Sequence, residues 1–142
     1  MAELFKLDKA DHDTLAQINI LLHQLTSRAK DCSPELLRSI VESQSVELWL
    51  AREGLKIVGM AELAIVLKPE GIIAQVEDVV VDEGQRGKGV GKMLTEKLIE
   101  RARAQGASTI TLSSRSDRTA ANALYKKVGF ELWQTNLYRL KL

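Results

Sequence analysis

The chain has a single cysteine, Cys32, in 142 residues. No intramolecular disulfide can form, and no cysteine-based metal cluster either. Its two histidines, His12 and His23, are too few and too far apart in sequence to suggest a metal site. Neither sign of charge is in excess: 20 Lys and Arg stand against 19 Asp and Glu, a net of +1. That balance argues against a dedicated nucleic-acid binder, which needs a basic excess on one face. It leaves room for a small basic site that holds a phosphorylated ligand. No apolar run approaches the length of a membrane span. Glu3, Lys6, Asp8 and Lys9 come before any long apolar stretch, which is unlike a secretory leader. The expectation is a cytoplasmic protein with neither nucleic acid nor membrane as partner. Repeats, low-complexity tracts and Pro/Gly/Ser linkers are absent too. The 45% hydrophobic and 27% charged content is that of one ordinary globular domain spanning residues 1–142.

Periodicity supplies the elements. A weak edge strand is expected over residues 3–7. Asp11 stands where an N-cap belongs, and Leu15, Ile18, Leu22 and Leu25 follow at helical spacing, predicting a helix over residues 13–27. Ser33-Pro34 reads as an N-cap and a first-turn proline for a second helix through Leu36, Leu37, Ile40 and Val41. At Val46 the period changes to two, predicting strands over residues 46–51, 55–66 and 72–82. The run Val79-Val80-Val81 is apolar on both faces, as in a central strand. Val90, Leu94, Leu98 and Ala102 predict a helix stopped by Gly106. A strand over residues 109–113 and a helix over 120–128, stopped by Gly129, come next. Residues 130–133 and 136–142 suggest a terminal hairpin. The order β-α-α-β-β-β-α-β-α-β-β predicts a mixed α/β layer fold with helices covering the sheet.

The stretch between the central strand and its helix holds the chemistry. It reads Gln85-Arg86-Gly87-Lys88-Gly89-Val90-Gly91-Lys92. Glycines allow a tight turn and a close ligand approach. The helix start offers unpaired N–H groups and partial positive charge. Arg86, Lys88 and Lys92 add cations at the same end. Strand, glycines and helix in this order favour an anion site, most naturally for phosphate or pyrophosphate, over a plain solvated turn. The nucleotide P-loop does not fit: Arg86 stands at its glycine position, and Met93 follows Gly91-Lys92 where Ser or Thr is needed. The dinucleotide pattern fails as well, since its third glycine falls on Lys92 or Leu94.

What fits is Arg86-x-x-Gly89-x-Gly91, and here the chain resembles the GNAT superfamily of acyl-CoA N-acyltransferases. Asn122-Ala123-Leu124-Tyr125-Lys126-Lys127-Val128-Gly129-Phe130 is similar to that family's second CoA-side segment. The order of elements resembles the family from near residue 3 to the end. The resemblance implies a central, mostly antiparallel mixed sheet flanked by helices, in a single N-acetyltransferase domain over residues 1–142. It implies an acyltransferase of the EC 2.3.1 type that uses acetyl-CoA as acyl donor and no metal. The loop from Gln85 to Gly91, including Gly87, Lys88 and Val90, would hold the CoA pyrophosphate, with Val79, Val80, Val81, Lys92, Asn122 and Tyr125 as further CoA contacts. Among these, Tyr125 would protonate the departing thiolate. A backbone N–H on the Val79–Val81 strand would face the developing oxyanion.

Acetyl transfer to an amine also needs a neutral nucleophile, and a free alkylamine has a pKa of about 10.4, so a base helps. Glu77 and Asp78, just before the apolar run, are the candidates, and Glu77 is favoured. Strict alternation would send the two to opposite faces. Counting back from Arg86 puts the family's usual glutamate at Gln75 unless a bulge shifts the register. Arg115 and Arg118 could reach substrate or the CoA 3′-phosphate. Cys32 reads as a small buried or linker residue, Trp49 and Trp133 as packing or cleft walls.

The acceptor, a primary amine on a small molecule or peptide, has no motif. The string from Val76 to Val81, followed by Arg86-Gly87-Lys88, is locally similar to glucosamine-phosphate N-acetyltransferases. Aminosugar phosphates therefore stand beside polyamines, amino acids, aminoglycosides and protein amino groups. The rival reading is a non-catalytic acyl-CoA sensor or interaction module on the same fold. An edge strand or terminal hairpin could pair two chains into a homodimer.

Overall fold

The computed structural model describes residues 1–142. Ten elements follow in order: β1 (Glu3–Lys6), α1 (His12–Leu25), α2 (Pro34–Glu42), β2 (Val46–Glu53), β3 (Lys56–Lys68), β4 (Gly71–Val81), a 3₁₀ turn (Glu83–Gln85), α3 (Val90–Ala104), β5 (Ile110–Leu112) and α4 (Thr119–Lys127). The caps act as the sequence predicts. The Asp11 carboxylate accepts from the Thr14 N–H at 2.9 Å, and the Ser33 hydroxyl from the Leu36 N–H at 3.1 Å. Each such cap contributes about 1 kcal/mol.

One five-stranded sheet has the order β1-β2-β3-β4-β5. The first four strands are antiparallel neighbours, and β5 runs parallel to β4. This is the expected mixed, mostly antiparallel sheet. Alternation sorts the side chains into two cores. Val58, Leu63 and Val76 pack on one face against Val90, Leu94 and Leu98 of α3. Leu48, Leu50, Met60 and Val80 pack on the other against Leu15, Ile18 and Leu21 of α1 and Leu37 of α2. Full burial of a leucine contributes roughly 1.5–3 kcal/mol, so these two layers fix the helices on the sheet.

Two features depart from expectation. The β3–β4 register shifts between Met60, opposite Val80, and Glu62, opposite Glu77. Asp78 takes up the extra residue with φ 50°, the left-handed region rarely adopted outside glycine. Strict alternation therefore breaks at Asp78. The second departure is the terminal hairpin, which does not form. Residues 130–142 make no ladder. Their backbone N–H bonds are Phe130 to the Tyr125 carbonyl at 2.9 Å and Thr135 to the Trp133 carbonyl at 3.1 Å. Alternating apolar residues mark a segment that suits a sheet, but a hairpin holds only when docked on one. Within the single chain this segment meets no strand.

Candidate functional site

The β4–β5 pairing covers only Ala74, Gln75 and Val76 against Ile110, Thr111 and Leu112. Beyond Val76 the two parallel strands part. A cleft of about 610 Å³ opens there, lined by Val79, Val80 and Val81 of β4, by the loop and first turn of α3, and by Leu124 and Tyr125 of α4. The backbone of Val79–Val81 on that side has no β5 partner. An extended ligand carrying amide groups could use it as a strand would.

The glycine-rich loop forms one end of the cleft. Gln85, Arg86, Gly87, Gly89, Val90, Gly91 and Lys92 all line it. Gly87 and Gly89 have φ of 78° and 85°, and Gly89 is the N-cap of α3. A Cβ at either would meet nothing within 4 Å, so backbone conformation is what requires glycine there. Gly91 is glycine for another reason. A Cβ there would sit 3.2 Å from Leu124 Cδ2 and 3.6 Å from Val81 Cγ2, so its absence lets α3, α4 and β4 close together. The first helical bond of α3 runs from the Met93 N–H to the Gly89 carbonyl, which leaves the N–H groups before it for a ligand. The Arg86 guanidinium donates to the Val81 carbonyl at 3.1 Å and ties the loop to the end of β4. Arg115, Arg118 and Lys127 bring further cations to the cleft.

Two of the expected contacts lie elsewhere. Lys88 does not line the cleft, and its ammonium donates to Gln85 Oε1 at 3.2 Å. Asn122 does not line it either. Its amide donates to the carbonyls of Arg115 and Arg118 at 2.9 and 2.8 Å, which folds the turn before α4. Tyr125 does reach the cleft, although it is 6% exposed overall. Its ring packs edge-on against Phe130, and no protein group hydrogen-bonds its hydroxyl. Burial raises its pKa, and nearby Arg118 opposes that rise. The phenol is thus a held proton with nowhere in the protein to go.

Glu62 on β3 and Glu77 and Asp78 on β4 form a carboxylate group upstream of the cleft; none of the three, the expected base Glu77 included, lines it. Register pairing puts Leu48, Glu62 and Glu77 on the α1–α2 face of the sheet. None of Glu62, Glu77 and Asp78 has a cationic partner among the ion pairs. Burial, then Asp78 and Glu77, raise the pKa of Glu62. Burial, then Asp78, raise that of Glu77. Both shifts favour a carboxyl that takes up a proton more readily than usual. The bulge brings Glu77 and Asp78 both within range of Glu62, against the expectation that alternation would separate them. Gln75, opposite Ala64, lies on the same face of β4 as Glu77.

Sequence reasoning missed Glu62. A signal existed: it is the one charged residue in the otherwise apolar run from Ile57 to Leu67. Cys32 is half-buried beside this group, and burial and then Glu62 push its thiol pKa up, which makes it a poor nucleophile. His23 pairs with Asp31 at 2.7 Å on the surface. Trp49 donates to Glu47 at 2.9 Å in the fold's framework, and Trp133 is 79% exposed. The end of α1 closes the site from above. Gln24 donates to Asp82 Oδ1 at 2.9 Å and accepts from the Glu83 N–H at 2.8 Å, locking α1 to the β4–α3 loop.

A parted parallel pair, a glycine-rich helix start and a tyrosine hydroxyl without a protein partner thus meet in one cleft. The sequence pattern of the Acetyltransferase (GNAT) family matches residues 15–130. The chain belongs to that family. Relatives include an L-methionine sulfoximine/L-methionine sulfone acetyltransferase of Pseudomonas aeruginosa, 44% identical over 64 residues, which are 44% of this chain and 37% of that one. A mycothiol acetyltransferase of Paenarthrobacter aurescens is 30% identical over 112 residues, 72% of this chain and 35% of that one. The matches thus span little more than a third of these relatives' length. Among solved structures, a Trypanosoma brucei acetyltransferase superposes with TM-score 0.81 at 29% identity, covering 100% of each chain. A putative acetyltransferase from Agrobacterium tumefaciens gives 0.86 at 22% identity, covering 98% and 99%, a likeness of fold.

Proposed function

We propose that the chain transfers an acetyl group from acetyl-CoA to a primary amine of a small molecule or peptide, by direct attack in a ternary complex. The observation that carries this reading is the meeting, in one cleft, of a phosphate-type loop, β4 backbone without a β5 partner and a buried tyrosine whose hydroxyl has no protein partner. Acetyl-CoA would supply an activated acyl carbon on a thioester.

Each part has a task. The free N–H groups at the start of α3, with Arg86 and Lys92 alongside, hold the pyrophosphate. The unpaired backbone at Val79–Val81 takes the amide-bearing arm in extended form and offers an N–H to the acyl oxygen as charge develops there. Glu77 and Glu62 draw the acceptor in as a cation, and Glu77, whose proton affinity is raised by burial and then by Asp78, takes a proton from it. The neutral amine then attacks the acyl carbon: the C–N bond forms, the C–S bond breaks, and the surplus N–H proton passes to solvent through the open cleft. The Tyr125 hydroxyl gives its proton to the departing sulfur and regains one from solvent through the open cleft. Holding both partners in one cleft supplies much of the rate.

Glucosamine 6-phosphate N-acetyltransferase 1 of Oryza sativa is 37% identical over 60 residues, 42% of this chain and 34% of that one. The methionine sulfoximine enzyme has a different acceptor. Small amines in general, rather than one of these, are therefore the class we assign. The test is a thermal melt with acetyl-CoA, CoA, ATP and NADH in parallel. A ligand that binds only the folded state at a hundredfold excess over its Kd adds about 2.7 kcal/mol of stability. A rise with acetyl-CoA and CoA alone, followed by thiol release with at least one amine, supports the enzyme. A rise without release from any amine favours the acyl-CoA sensor. No rise with either overturns both.

A further inference from the structure

A second cavity, of about 430 Å³, opens beside the cleft and lies within the roughly 300–1,000 Å³ that small ligands occupy. Leu25, Arg115 and Arg118 border both spaces. Thr26, just after α1, and Ser113 and Ser114, just after β5, border the second alone. The glycine-rich loop does not reach it, and no carboxylate lines it.

Its polar groups are chiefly donors. A guanidinium only donates. Thr26 Oγ1 already accepts from the Arg28 N–H at 3.3 Å, so its own hydrogen is what remains for a ligand. The Ser114 hydroxyl is shut away from water without a hydrogen-bond partner, an unfavourable state that a ligand oxygen would relieve. Arg115 meets Asp117 only at 3.9 Å, with both side chains largely exposed, which makes a weak pair. Arg118 has no ion pair. Donors and positive charge without a compensating anion suit a group that only accepts, and carboxylate and phosphate are such groups.

We propose that this side cavity holds an acidic group of the acceptor, so that the substrates are amines that also carry a carboxylate or a phosphate. The inference rests on the acetyl transfer proposed above and narrows its acceptor class. Glu62 and Glu77 draw the amine, and Ser114 and Arg115 take the acid. The donor's phosphates sit at the glycine-rich loop and draw Arg118 from the cleft side, which leaves Arg115 and the three hydroxyls to the acceptor. Reading opposite charges at two places rejects molecules that carry only one of them. A polyamine or a polycationic sugar would set a positive group against Arg115, with no carboxylate lining the cavity to offset it.

Matched pairs of amines test this, with thiol release from acetyl-CoA as the readout. Each α-amino acid is set against the amine in which hydrogen replaces its carboxylate, and phosphoethanolamine against ethanolamine. In at least one pair the acidic member should have a kcat/KM about tenfold or more above its partner. Arg115→Gln should bring that ratio down to about twofold or less, and Arg115→Lys should restore part of it. Ser114→Ala should lower the ratio several-fold yet melt no lower than the wild type, because the free chain loses no hydrogen bond. Pairs in which the neutral member always reacts as well overturn the proposal. So does an Arg115→Gln variant in which both members fall together, since Arg115 then serves the donor or the fold. If no amine releases thiol, the transfer itself fails, and calorimetry of the same pairs on the CoA complex judges the cavity. Acidic members that bind, and bind about tenfold more weakly to Arg115→Gln, keep the acid site. Equal binding of both members removes it.

Discussion

Replacing Tyr125 by Phe separates chemistry from everything else this residue does. The ring packs edge-on with Phe130 at 6.0 Å between centroids and 68° between planes. Phenylalanine retains that ring and its burial. The hydroxyl has no protein partner, so its loss leaves no orphaned donor or acceptor behind. Stability should then change by no more than about 0.5 kcal/mol. The Kd for acetyl-CoA should stay within about twofold, since the loop and the β4 backbone that hold it are untouched. What falls is kcat. General acid catalysis is typically worth 10²–10⁴-fold. A thiol of pKa about 8.5 already leaves more easily than an alcohol, so the low end, about 10–100-fold, is expected. That corresponds to roughly 1.4–2.7 kcal/mol of barrier. The pH profile carries the same information. Burial lifts the Tyr125 pKa above its ordinary 10.0, so the acid form persists through neutral and mildly alkaline solution. Loss of activity through Tyr125 ionisation is therefore pushed to higher pH than for an ordinary tyrosine, and this limb should vanish in the variant. Thiol release at saturating acetyl-CoA measures kcat, and titration calorimetry measures Kd. A kcat within twofold of wild type with several amines would refute the acid role. A tenfold weaker Kd that accounts for the whole loss would make Tyr125 a binding residue instead.

Three further outcomes test other parts of the argument. Glu62→Gln removes a carboxyl whose pKa is raised by burial, then by Asp78 and Glu77. The folded chain binds that proton more tightly than the unfolded one, so native Glu62 costs stability as pH rises through the carboxylate range and at every higher pH. The variant should melt higher at neutral pH by calorimetry while losing about tenfold or more in kcat; a lower melting point would show that Glu62 is structural. Gly89→Ala forces a non-glycine residue to φ 85° at the start of α3, at a cost of about 1–2 kcal/mol. It should weaken CoA binding several-fold in calorimetry and spare kcat at saturation. Arg101→Ala unpairs Glu47, a 4%-exposed carboxylate that accepts from Arg101 Nη2 at 2.7 Å. Hydrogen bonds from Arg101 hold its pKa at about 2 instead of 4.5, which corresponds to on the order of 3 kcal/mol. That contribution is complete above the ordinary carboxylate range and fades as pH falls toward 2. The variant should lose roughly 3–5 kcal/mol at neutral pH and show a flatter acid-unfolding curve by circular dichroism.

The helices and the inner strands were legible because caps and periods are local. Asp11, Ser33 and Pro34 announce their helices from within four residues, and the step from period four to period two at Val46 marks the sheet. The anion loop was legible for the same reason: its glycines answer to backbone geometry, which leaves a fixed spacing. Gly91 fits the spacing but serves a contact with Leu124 and Val81 that no local rule reveals. The carboxylate group was not legible. Glu62 and Glu77 are fifteen residues apart and meet only because β3 and β4 pair with a bulge at Asp78. Lys88 and Asn122 sit in motif positions, yet their side chains serve Gln85 and the turn before α4. The terminal hairpin was misread because alternation reports that a segment suits a sheet, not which sheet.

This contrast explains why the donor can be inferred and the acceptor cannot. On the proposed reading the donor end is made of main-chain groups left open by the turn at Gly87 and Gly89 and by the parting of β4 from β5. Main-chain recognition tolerates many sequences and survives as a short pattern. On the proposed reading the acceptor end is instead made of side chains from separate strands, Glu62 on β3 and Glu77 on β4. Its character is nevertheless physical and readable in the fold. Uncompensated carboxylates stand near the α1–α2 side, and Arg115, Arg118 and Lys127 stand on the cleft. A molecule with a cationic amine at one end is drawn to the first group, and the phosphates of the donor to the second. The two charges would thus orient both substrates head to head across Val79–Val81 before any acceptor-specific contact is made. Swapping the signs tests this directly. Glu77→Lys should raise KM for amines strongly and leave CoA affinity nearly unchanged, whereas Arg118→Glu should do the reverse. If both variants raise the two constants together, the charges act on the fold and not on the substrates.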